Sequence, residues 1–346
     1  MSKLTVAIIC GGPSSEHEVS CVSGGGVLKG LDKKSFSPIL IGITKSGKWV
    51  ALDENYPLAI KNKVMPTIED NGTTVELSQG GLVIDGSFVA IDCVFSILHG
   101  EFGEDGKIQR LLEDAKIAYV GSGVQASADA MDKARAKELF LAAGLKVAPG
   151  IVVRKGEPHP DAASLSYPLF VKPSSGGSSR GTHKVKSAAA LSAAIDDALL
   201  YDSKVLIETA INGREIECAV LEREGTSYAS VVGEIVVNPS FEFYDFEAKY
   251  LDDATTVKIP ADVSEEDSQA IQIAAVQAFD ALGCAGLARC DFFYTDHNEI
   301  IINEINTLPG FTGTSVYPKL WQATGVEYSD LITALIDSAI NKAEQS

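Results

Sequence analysis

Alternating apolar and polar positions predict a pair of strands late in the chain. Residues 300–306 are mostly apolar, but Glu304 and Asn306 interrupt the run two positions apart, and Arg289 and Asp291 do the same in residues 287–293. Residues two apart in a strand lie on one face. We therefore predict a hairpin, with its turn near residues 296–298, that brings three oxygen donors and a guanidinium together.

This set of side chains is suited to a divalent cation. Carboxylate and amide oxygens are hard donors, and Mg²⁺ is commonly bound by one or two carboxylates together with substrate phosphates. The alternative is a sheet edge protected by inward-pointing charges. That alternative explains one buried charge better than it explains four polar groups in register, so we predict a metal site at Asp291, Glu304 and Asn306.

The first third of the chain alternates short apolar strands with helices. This pattern is typical of a parallel, doubly wound α/β sheet, which binds ligands at the carboxyl ends of its strands. Two polar, glycine-rich segments, residues 11–18 and 99–106, follow predicted strands and are candidates for such a site. The predicted elements are strands at 5–10, 38–43 and 93–98 and helices at 15–28 and 106–115.

Beyond residue 125, glycine and proline punctuate the chain and strands become more frequent, which indicates a domain boundary there. We see no internal repeat and no low-complexity segment. The predicted elements are helices at 127–143, 188–200, 265–282 and 328–342, strands at 169–172, 205–208, 215–221 and 230–237, and the hairpin.

Composition excludes several classes of partner. The 346-residue chain has 45% hydrophobic and 22% charged residues and a formal net charge of −18. This charge argues against binding to nucleic acid or to an anionic membrane surface, and no apolar run approaches the ~18 residues of a membrane helix. The six cysteines form no C-x-x-C pair, which favours a reducing cytoplasm.

A glycine- and serine-rich loop predicts a phosphate contact. Residues 172–181 read K-P-S-S-G-G-S-S-R-G after an apolar strand. Backbone amides and hydroxyls of such a loop cradle an anion, and Lys172 adds a point charge. Because the lysine precedes the glycines, the loop is not a Walker motif. Together with the acidic hairpin it predicts a nucleotide flap, in which Ser178 and Ser179 are candidate contacts.

Two further segments are suited to a nucleotide. Glu208 ends one predicted strand and Glu215 begins the next, so that their short connection can read an adenine and a carboxylate can hold the ribose hydroxyls. Residues 243–250 are dense in aromatic and charged side chains, and loops of this kind commonly cover sites. Taken alone, each glutamate fits a solvated strand end, and the aromatic segment fits an amphipathic strand.

These motifs resemble, along essentially the whole chain, those of the D-alanine–D-alanine ligases of the ATP-grasp superfamily. The two most specific are the Arg289/Asp291 pair and N-E-I-N-T-L-P-G-F-T at 303–312. The others are G-G-P-S-S-E-H-E-V-S at 11–20, H-G-E-F-G-E-D-G at 99–106, M-D-K at 131–133, the loop at 172–181, R-E-I-E at 214–217 and Y-D-F-E-A-K-Y at 244–250.

The resemblance implies an α/β fold, α+β in its ATP-grasp part. A Rossmann-like N-terminal domain (1–125) would precede a two-domain ATP-grasp fold, with a central domain (126–233) and a C-terminal domain (234–346) holding ATP between them. It also implies a bacterial cytoplasmic enzyme of peptidoglycan synthesis that works as a homodimer. Its substrates would be two D-alanines and ATP, and its cofactor two Mg²⁺ or Mn²⁺ ions.

The resemblance also implies residue roles. Lys133 and Lys172 would contact phosphates, Glu208 and Glu215 would hold adenine and ribose, and Asp291, Glu304 and Asn306 would bind the metals. The first D-alanine would be held by Glu16 with His99 nearby, in a network with Ser178 and Tyr250. Arg289 and the amide of Gly310 would form the oxyanion site. Lys249 and Ser315 would hold the second substrate's carboxylate, and Tyr244 belongs to the covering loop.

Substrate choice depends on a few positions. Tyr250, where makers of D-alanyl-D-lactate can carry phenylalanine, and Val316, where some D-serine users carry arginine, favour D-alanine as second substrate. Gly176, Arg180 and Phe246 depart from the usual family residues. A ligase for D-serine, D-lactate or another amino acid stays an alternative, as does a catalytically idle nucleotide-binding relative. The idle relative is disfavoured because the charged groups are all present. Residues 53–90 have no assigned role.

Overall fold

The computed structural model describes residues 3–177, 180–237 and 255–345, which form four β-sheets with helices packed on them. In the N-terminal sheet, β1 pairs in parallel with both β2 and β7, as the doubly wound pattern predicts. The edge strand β3 is antiparallel. The strands of the first third are β1 (Leu4–Gly11), β2 (Phe36–Ile43), β3 (Trp49–Leu52), β4 (Val75–Ser78), β5 (Gly81–Ile84), β6 (Ser87–Ala90) and β7 (Cys93–Ser96).

Helix α1 (His17–Gly30) lies very close to its neighbours because three consecutive glycines face them. A methyl group on Gly24 would lie 2.6 Å from Cβ of Cys10 on β1, and one on Gly25 would lie 2.8 Å from Leu58. The same substitution at Gly26 would meet the hydroxyl of Tyr328 and the carbonyl of Phe311. The contacts of Gly24 and Gly25 hold α1 against the N-terminal part of the chain, and that of Gly26 holds it against the C-terminal part.

The second sheet has the order β10-β9-β11-β8 with antiparallel pairing throughout. Leucine, isoleucine and valine side chains from its strands and from α5 form a separate hydrophobic core. Its strands are β8 (Gly150–Arg154), β9 (Leu169–Pro173), β10 (His183–Val185) and β11 (Lys204–Thr209), and helix α5 (Leu191–Ala198) packs on it. Of the preceding helices, α2 (Lys107–Asp114) packs on the first sheet, whereas α3 (Val124–Met131) and α4 (Lys133–Ala142) contribute to the core of the third sheet.

The third sheet is five-stranded and antiparallel, in the order β14-β13-β12-β15-β16. Its elements are β12 (Arg214–Arg223), β13 (Thr226–Val237), β14 (Thr255–Lys258), β15 (Leu287–Tyr294), β16 (Ile300–Asn306), α6 (Glu265–Ala281), α7 (Val316–Thr324) and α8 (Tyr328–Glu344). Helix α8 shares one continuous hydrophobic core with the N-terminal sheet and the five-stranded sheet. The third sheet is thereby fixed to the first.

Two predicted helices are wrong in their extent. The segment predicted as one helix at 127–143 is two helices, because Asp132 leaves the helical conformation (φ −82°, ψ 94°) and caps α4 by accepting the backbone N–H of Arg135. In the segment predicted as a helix at 188–200, a 3₁₀ turn occupies Ala188–Ala190 and the α-helix ends at Ala198.

Several short strands escaped prediction, among them the small β4-β5-β6 sheet within residues 53–90. Strands of four residues leave too little alternation to recognise. Helix α7 also escaped, because it begins directly after a glycine- and threonine-rich loop. The proposed domain boundaries at 125 and 233 stay predictions. No helix in the described ranges combines the length and the apolar character that crossing a bilayer requires.

Candidate active site

A cleft of about 550 Å³ lies where the first three sheets meet. Each of the predicted site residues that the structure describes lines it, so the topology brings together residues almost 300 positions apart. They are Glu16, His99, Lys133, Lys172, Glu208, Glu215, Arg289, Asp291, Glu304, Asn306, Gly310, Ser315 and Val316. The predicted Ser178, Ser179, Tyr244, Lys249 and Tyr250 lie outside the described residues.

The predicted acidic hairpin is confirmed. Strands β15 and β16 pair with Asp291 opposite Glu304 and Arg289 opposite Asn306. Arg289 donates from Nε and Nη2 to the two oxygens of Asp291, both at 2.7 Å, and Asn306 donates from its amide to Asp291 at 3.0 Å. A bidentate pair of this geometry fixes the plane of both groups, so the carboxylate and the guanidinium are already oriented at one wall of the cleft.

Glu217 on β12 is a second partner of Arg289 that sequence reasoning missed. Its carboxylate lies 3.1 Å from Nε of Arg289, and its side chain is only 6% exposed. Glu217 stands directly opposite Asp291 in the β12–β15 pairing. The R-E-I-E motif at 214–217 contained this residue, but the sequence did not say which glutamate points into the cleft and which meets the guanidinium.

The oxygen donors at the hairpin suit a metal ion that is bound partly by the protein and partly by the phosphates of a ligand. Within the described ranges, no group of three or more His, Cys, Asp or Glu side chains is arranged to hold a metal by itself. Asp291 and Glu304 supply two carboxylates and Asn306 an amide oxygen, and all three line the cleft. Mg²⁺ usually binds through one or two carboxylates plus phosphates and water, so these residues suit a cation brought in on a nucleotide.

Two buried lysines hold Glu208. Nζ of Lys172 lies 2.6 Å from one oxygen of the carboxylate and Nζ of Lys137 lies 2.6 Å from the other. The side chains are 14%, 7% and 5% exposed for Lys172, Lys137 and Glu208. Lys172 lies on β9 and Glu208 on β11, which pair with each other, and Lys137 lies on α4. Glu208 is therefore a buried ionic centre, not a solvated strand end.

The pKa shifts of this cluster follow from burial and charge. Burial lowers the pKa of Lys137, an effect that the charge of Glu208 opposes and that of Lys172 reinforces. Burial acts on the pKa of Lys172 in the same direction, but Glu208 outweighs it and the pKa stays above its ordinary value. For Glu208, burial would raise the pKa, and the two ammonium groups instead hold it below the ordinary value.

The glycine- and serine-rich loop is attached to the start of α4. Lys133 donates from Nζ to the carbonyl of Gly176 at 2.6 Å, and its backbone N–H donates to the carbonyl of Ser174 at 2.8 Å. The Ser174 hydroxyl donates to Asp132 at 2.6 Å, and Asp132 forms an ion pair with Lys204. The predicted phosphate lysine and the predicted phosphate loop are thus one connected unit.

Glu16 lies within reach of the loop because two glycines leave space for it. A Cβ on Gly177 would lie 3.1 Å from Oε2 of Glu16, and a Cβ on Gly100 would lie 2.8 Å from the same atom. Gly100 also has φ +75°, a conformation that favours glycine. The carboxylate of Glu16 therefore stands between the first sheet and the loop after β9.

His99 lines the cleft, but both of its ring nitrogens already have protein partners. Nδ1 lies 2.9 Å from the carbonyl of Leu308, to which it must donate, and Nε2 lies 2.9 Å from the hydroxyl of Ser23. Burial is the main cause that lowers the pKa of His99, so the ring is neutral. Its predicted role near the substrate ammonium stays a prediction. The observed contacts connect α1 to the loop after β16.

Glu104 is a further cleft residue that sequence reasoning did not single out. Its oxygens accept the backbone N–H of Gly100 at 2.6 Å and of Leu308 at 3.3 Å. Burial, with the charge of Glu16 as the next contribution, raises the pKa of Glu104 to about 8. Glu104 belongs to the H-G-E-F-G-E-D-G motif, but the sequence did not show that Glu16 lies close enough to raise its pKa.

The loop before α7 completes the cleft. The hydroxyl of Ser315 accepts the backbone N–H of Thr312 at 3.0 Å and lies 2.8 Å from the hydroxyl of that residue. A Cβ on Gly310 would lie 3.2 Å from the same hydroxyl. Ser315 is the N-terminal flanking residue of α7, and Val316 begins the helix. The positive end of the helix dipole therefore faces a position suited to a carboxylate.

Comparison with known proteins agrees with this arrangement. The family model described as "D-ala D-ala ligase N-terminus" matches residues 5–122, and that described as "D-ala D-ala ligase C-terminus" matches residues 139–337. The chain is 45% identical to the D-alanine--D-alanine ligase of Mycobacterium leprae, over 98% of this chain and 94% of that protein. It is 48% identical to the enzyme of the same name from Rhodococcus erythropolis, over 98% and 97%.

Solved structures give the same result for the fold. The VanG D-Ala:D-Ser ligase from Enterococcus faecalis superposes with a TM-score of 0.85 at 36% identity, over 98% of this chain and all of that one. The D-alanine-D-alanine ligase from Coxiella burnetii superposes with a TM-score of 0.86 at 32% identity, over 100% and 96%. The predicted α/β fold with a Rossmann-like N-terminal sheet followed by an ATP-grasp part is confirmed.

Proposed function

Because this chain belongs to the D-alanine–D-alanine ligase family, we propose that its cleft joins two D-alanines at the expense of ATP. The observation that carries the proposal is the meeting of three groups in one cleft. These are the Asp291–Glu304–Asn306 set, the basic cluster around Lys172, and Glu16 just before α1. A divalent cation, the phosphates of a nucleotide and the ammonium group of an amino acid have charges complementary to these three groups, in that order.

The chemistry requires an activated acid. The carboxylate oxygen of the first D-alanine attacks the γ-phosphorus of ATP, ADP leaves, and an acyl phosphate forms. The neutral amine of the second D-alanine then attacks the carbonyl carbon. The C–N bond forms, the C–O bond to the phosphate breaks, and inorganic phosphate and one proton from the amine leave. Phosphoryl transfer depends mainly on positioning and on neutralising charge. In this proposal Lys133, Lys172, Ser178 and Ser179 act on the phosphates.

Each substrate is held by opposite charge. Glu16 holds the ammonium of the first D-alanine, in a network to which Ser178 and Tyr250 contribute. Ser315 and Lys249 hold the carboxylate of the second, which the N-terminus of α7 also favours. Arg289 and the amide of Gly310 receive the negative charge that develops on the carbonyl oxygen, and one such donor is worth about 3–4 kcal/mol. Glu208, Glu215 and Tyr244 complete the nucleotide site.

Asp291, Glu304 and Asn306 would hold Mg²⁺ or Mn²⁺, two ions in all, which neutralise phosphate charge when bound. The pairing of Asp291 with Arg289 is compatible with this role, because Glu217 stays beside the guanidinium when Asp291 is engaged elsewhere. The product would serve bacterial peptidoglycan synthesis in the cytoplasm, and the protein would be a homodimer.

A D-alanine–D-serine ligase is the second candidate, favoured by the structural match to a protein of that name. Val316, the first residue of α7, lines the cleft beside Ser315 and favours an apolar second substrate. The test is incubation with ATP, Mg²⁺ and D-alanine, with D-serine or D-lactate in parallel, and identification of products by mass. D-alanyl-D-alanine with ADP and phosphate is expected. A predominant mixed product overturns the specificity, and no product with intact ATP binding overturns the reaction.

A further inference from the structure

We infer that Lys137 is a positioning residue for the nucleotide: it compensates the charge of Glu208, so that Lys172 can serve the phosphates. The inference rests on the proposed function and assigns a role to a side chain that the reaction itself does not require. Lys172 and Glu208 line the cleft, whereas Lys137 belongs to the described residues outside that lining. Lys137 must therefore act through its neighbour.

The geometry gives each oxygen of Glu208 its own lysine. Both nitrogen–oxygen distances are 2.6 Å, and none of the three side chains is more than 14% exposed. Glu208 carries one negative charge and the two lysines carry two positive charges, while the carboxylate of Glu304 is close enough to act on both ammonium groups. Burial of a charge without a partner is costly, so the second lysine has a definite electrostatic effect.

The consequence concerns what Lys172 can do. If Lys172 were the sole partner of Glu208, turning its ammonium to a phosphate would leave a buried carboxylate uncompensated. With Lys137 2.6 Å from the other oxygen, Glu208 keeps a counter-charge while Lys172 serves the nucleotide.

Helix α4 is built to deliver this arrangement. Lys133 and Lys137 are four residues apart and so lie on one face of the helix. Lys133 donates to the carbonyl of Gly176 in the phosphate loop, while Lys137 reaches Glu208 on β11. One helix face therefore holds both halves of the nucleotide site.

The test measures ADP affinity with Mg²⁺ by calorimetry, together with kcat and the KM for ATP and for D-alanine. The variants are K137M, K137R, E208Q and the double variant K137M/E208Q. R135M is the matched control, since Arg135 is on the same helix but exposed, with side-chain exposure of 46%. We expect K137M to raise the ADP Kd and the KM for ATP by about tenfold or more, because interacting residues commonly couple by this amount.

K137R, which keeps the charge, should recover most of the affinity, and R135M should leave it unchanged. In the E208Q background, K137M should have little further effect, since the charge that it compensates is gone. An unchanged ADP Kd in folded K137M overturns the inference, and so does an equal loss in the E208Q background. If K137M does not fold, the ADP Kd of E208Q is compared with that of the double variant. Similar values support the inference, and a clearly higher value in the double variant overturns it. Product formation by the unmodified protein tests the proposed function separately.

Discussion

At the scale of single residues, Glu104 connects the protonation of the cleft with the stability of the fold. Glu104 has a pKa of about 8, raised from an ordinary 4.5 by burial and then by Glu16. Between these values the folded protein keeps a proton that the unfolded chain loses. The contribution of Glu104 to the free energy of unfolding therefore falls as the pH rises through this window.

We predict that E104Q removes this dependence. Because glutamine is neutral throughout, the variant should gain stability relative to the unmodified protein as the pH rises from about 5 to 8. The gain should be about 2 kcal/mol at the upper end, less than the full shift gives because Glu104 faces the cleft. Denaturant unfolding at several pH values measures it, and E101Q, an exposed change in the same loop, is the control. A constant difference across the pH range would contradict the prediction.

Arg289 has both a stabilising and a chemical role. It pairs with Asp291 and Glu217, which are 16% and 6% exposed. We predict that R289M lowers kcat about 100- to 1,000-fold, as loss of an oxyanion donor does. It should also lower the free energy of unfolding by about 3 kcal/mol, because two buried carboxylates lose their counter-charge.

R289K separates the two effects of this substitution. Lysine keeps a positive charge but loses the planar fork that fits Asp291. Stability should therefore recover in part, while kcat stays low. The measurements are steady-state kinetics at saturating substrates and denaturant unfolding of the same preparations. If R289K restored kcat, charge alone would suffice and the oriented guanidinium would have no special role.

At the scale of elements, Asp132 connects three of them. It caps α4, accepts the hydroxyl of Ser174 after β9 and pairs with Lys204 on β11. We predict that D132A lowers the free energy of unfolding by about 2 kcal/mol, the sum of a lost cap and a lost partly buried pair. It should also raise the KM for ATP, because Lys133 directly follows Asp132 and Ser174 of the phosphate loop donates a hydrogen bond to it.

D132N is the matched variant for this prediction. Asparagine caps helices about as well as aspartate but cannot compensate Lys204. The stability of D132N should fall between those of D132A and the unmodified protein, as measured by thermal unfolding. If D132N were no more stable than D132A, the cap would contribute nothing, and the connection between the elements would depend on the ion pair alone.

Asp132 also shows that contacts between distant parts of the chain could not be predicted from the sequence. The acidic hairpin was predictable because strand periodicity is local, but its register was not, since a β-bulge between Asp291 and Phe292 is what places Asp291 opposite Glu304. The break at Asp132 was not, since the partners that hold it, Ser174 and Lys204, are 42 and 72 residues away. Lys137 escaped for a similar reason. A lysine within a helix is ordinarily solvated, and only tertiary structure buries it against Glu208.

At the scale of the whole molecule, the cleft is the place where separate sheets meet. Glu16 comes from the first sheet, Lys172 and Glu208 from the second, and Asp291 and Glu304 from the third. The third sheet shares a hydrophobic core with the first, whereas the second has its own core. Ligands that span the cleft must therefore supply contacts between the second sheet and the rest.

We predict that the Tm of the protein rises in three steps, with ADP alone, with ADP and Mg²⁺, and with D-alanine added to both. A ligand at a hundred times its Kd adds about 2.7 kcal/mol to the folded state, which raises the Tm by a few degrees in a chain of this length. ADP alone should give a small rise, since the charges of its phosphates and of the Asp291–Glu304 pair repel. ADP with Mg²⁺ should give a larger rise, because the cation joins the second and third sheets through the phosphates.

Addition of D-alanine to ADP and Mg²⁺ should raise the Tm further, as Glu16 brings the first sheet into the same set of contacts. Thermal unfolding followed by dye binding, with and without EDTA, measures each step. The variant E304Q removes one of the two repelling charges and weakens the predicted metal set, so it should respond to ADP alone more strongly than the unmodified protein but lose the Mg²⁺ increment. An Mg²⁺ increment that survives in E304Q and in D291N would place the cation elsewhere, and the acidic hairpin would then serve only to orient Arg289.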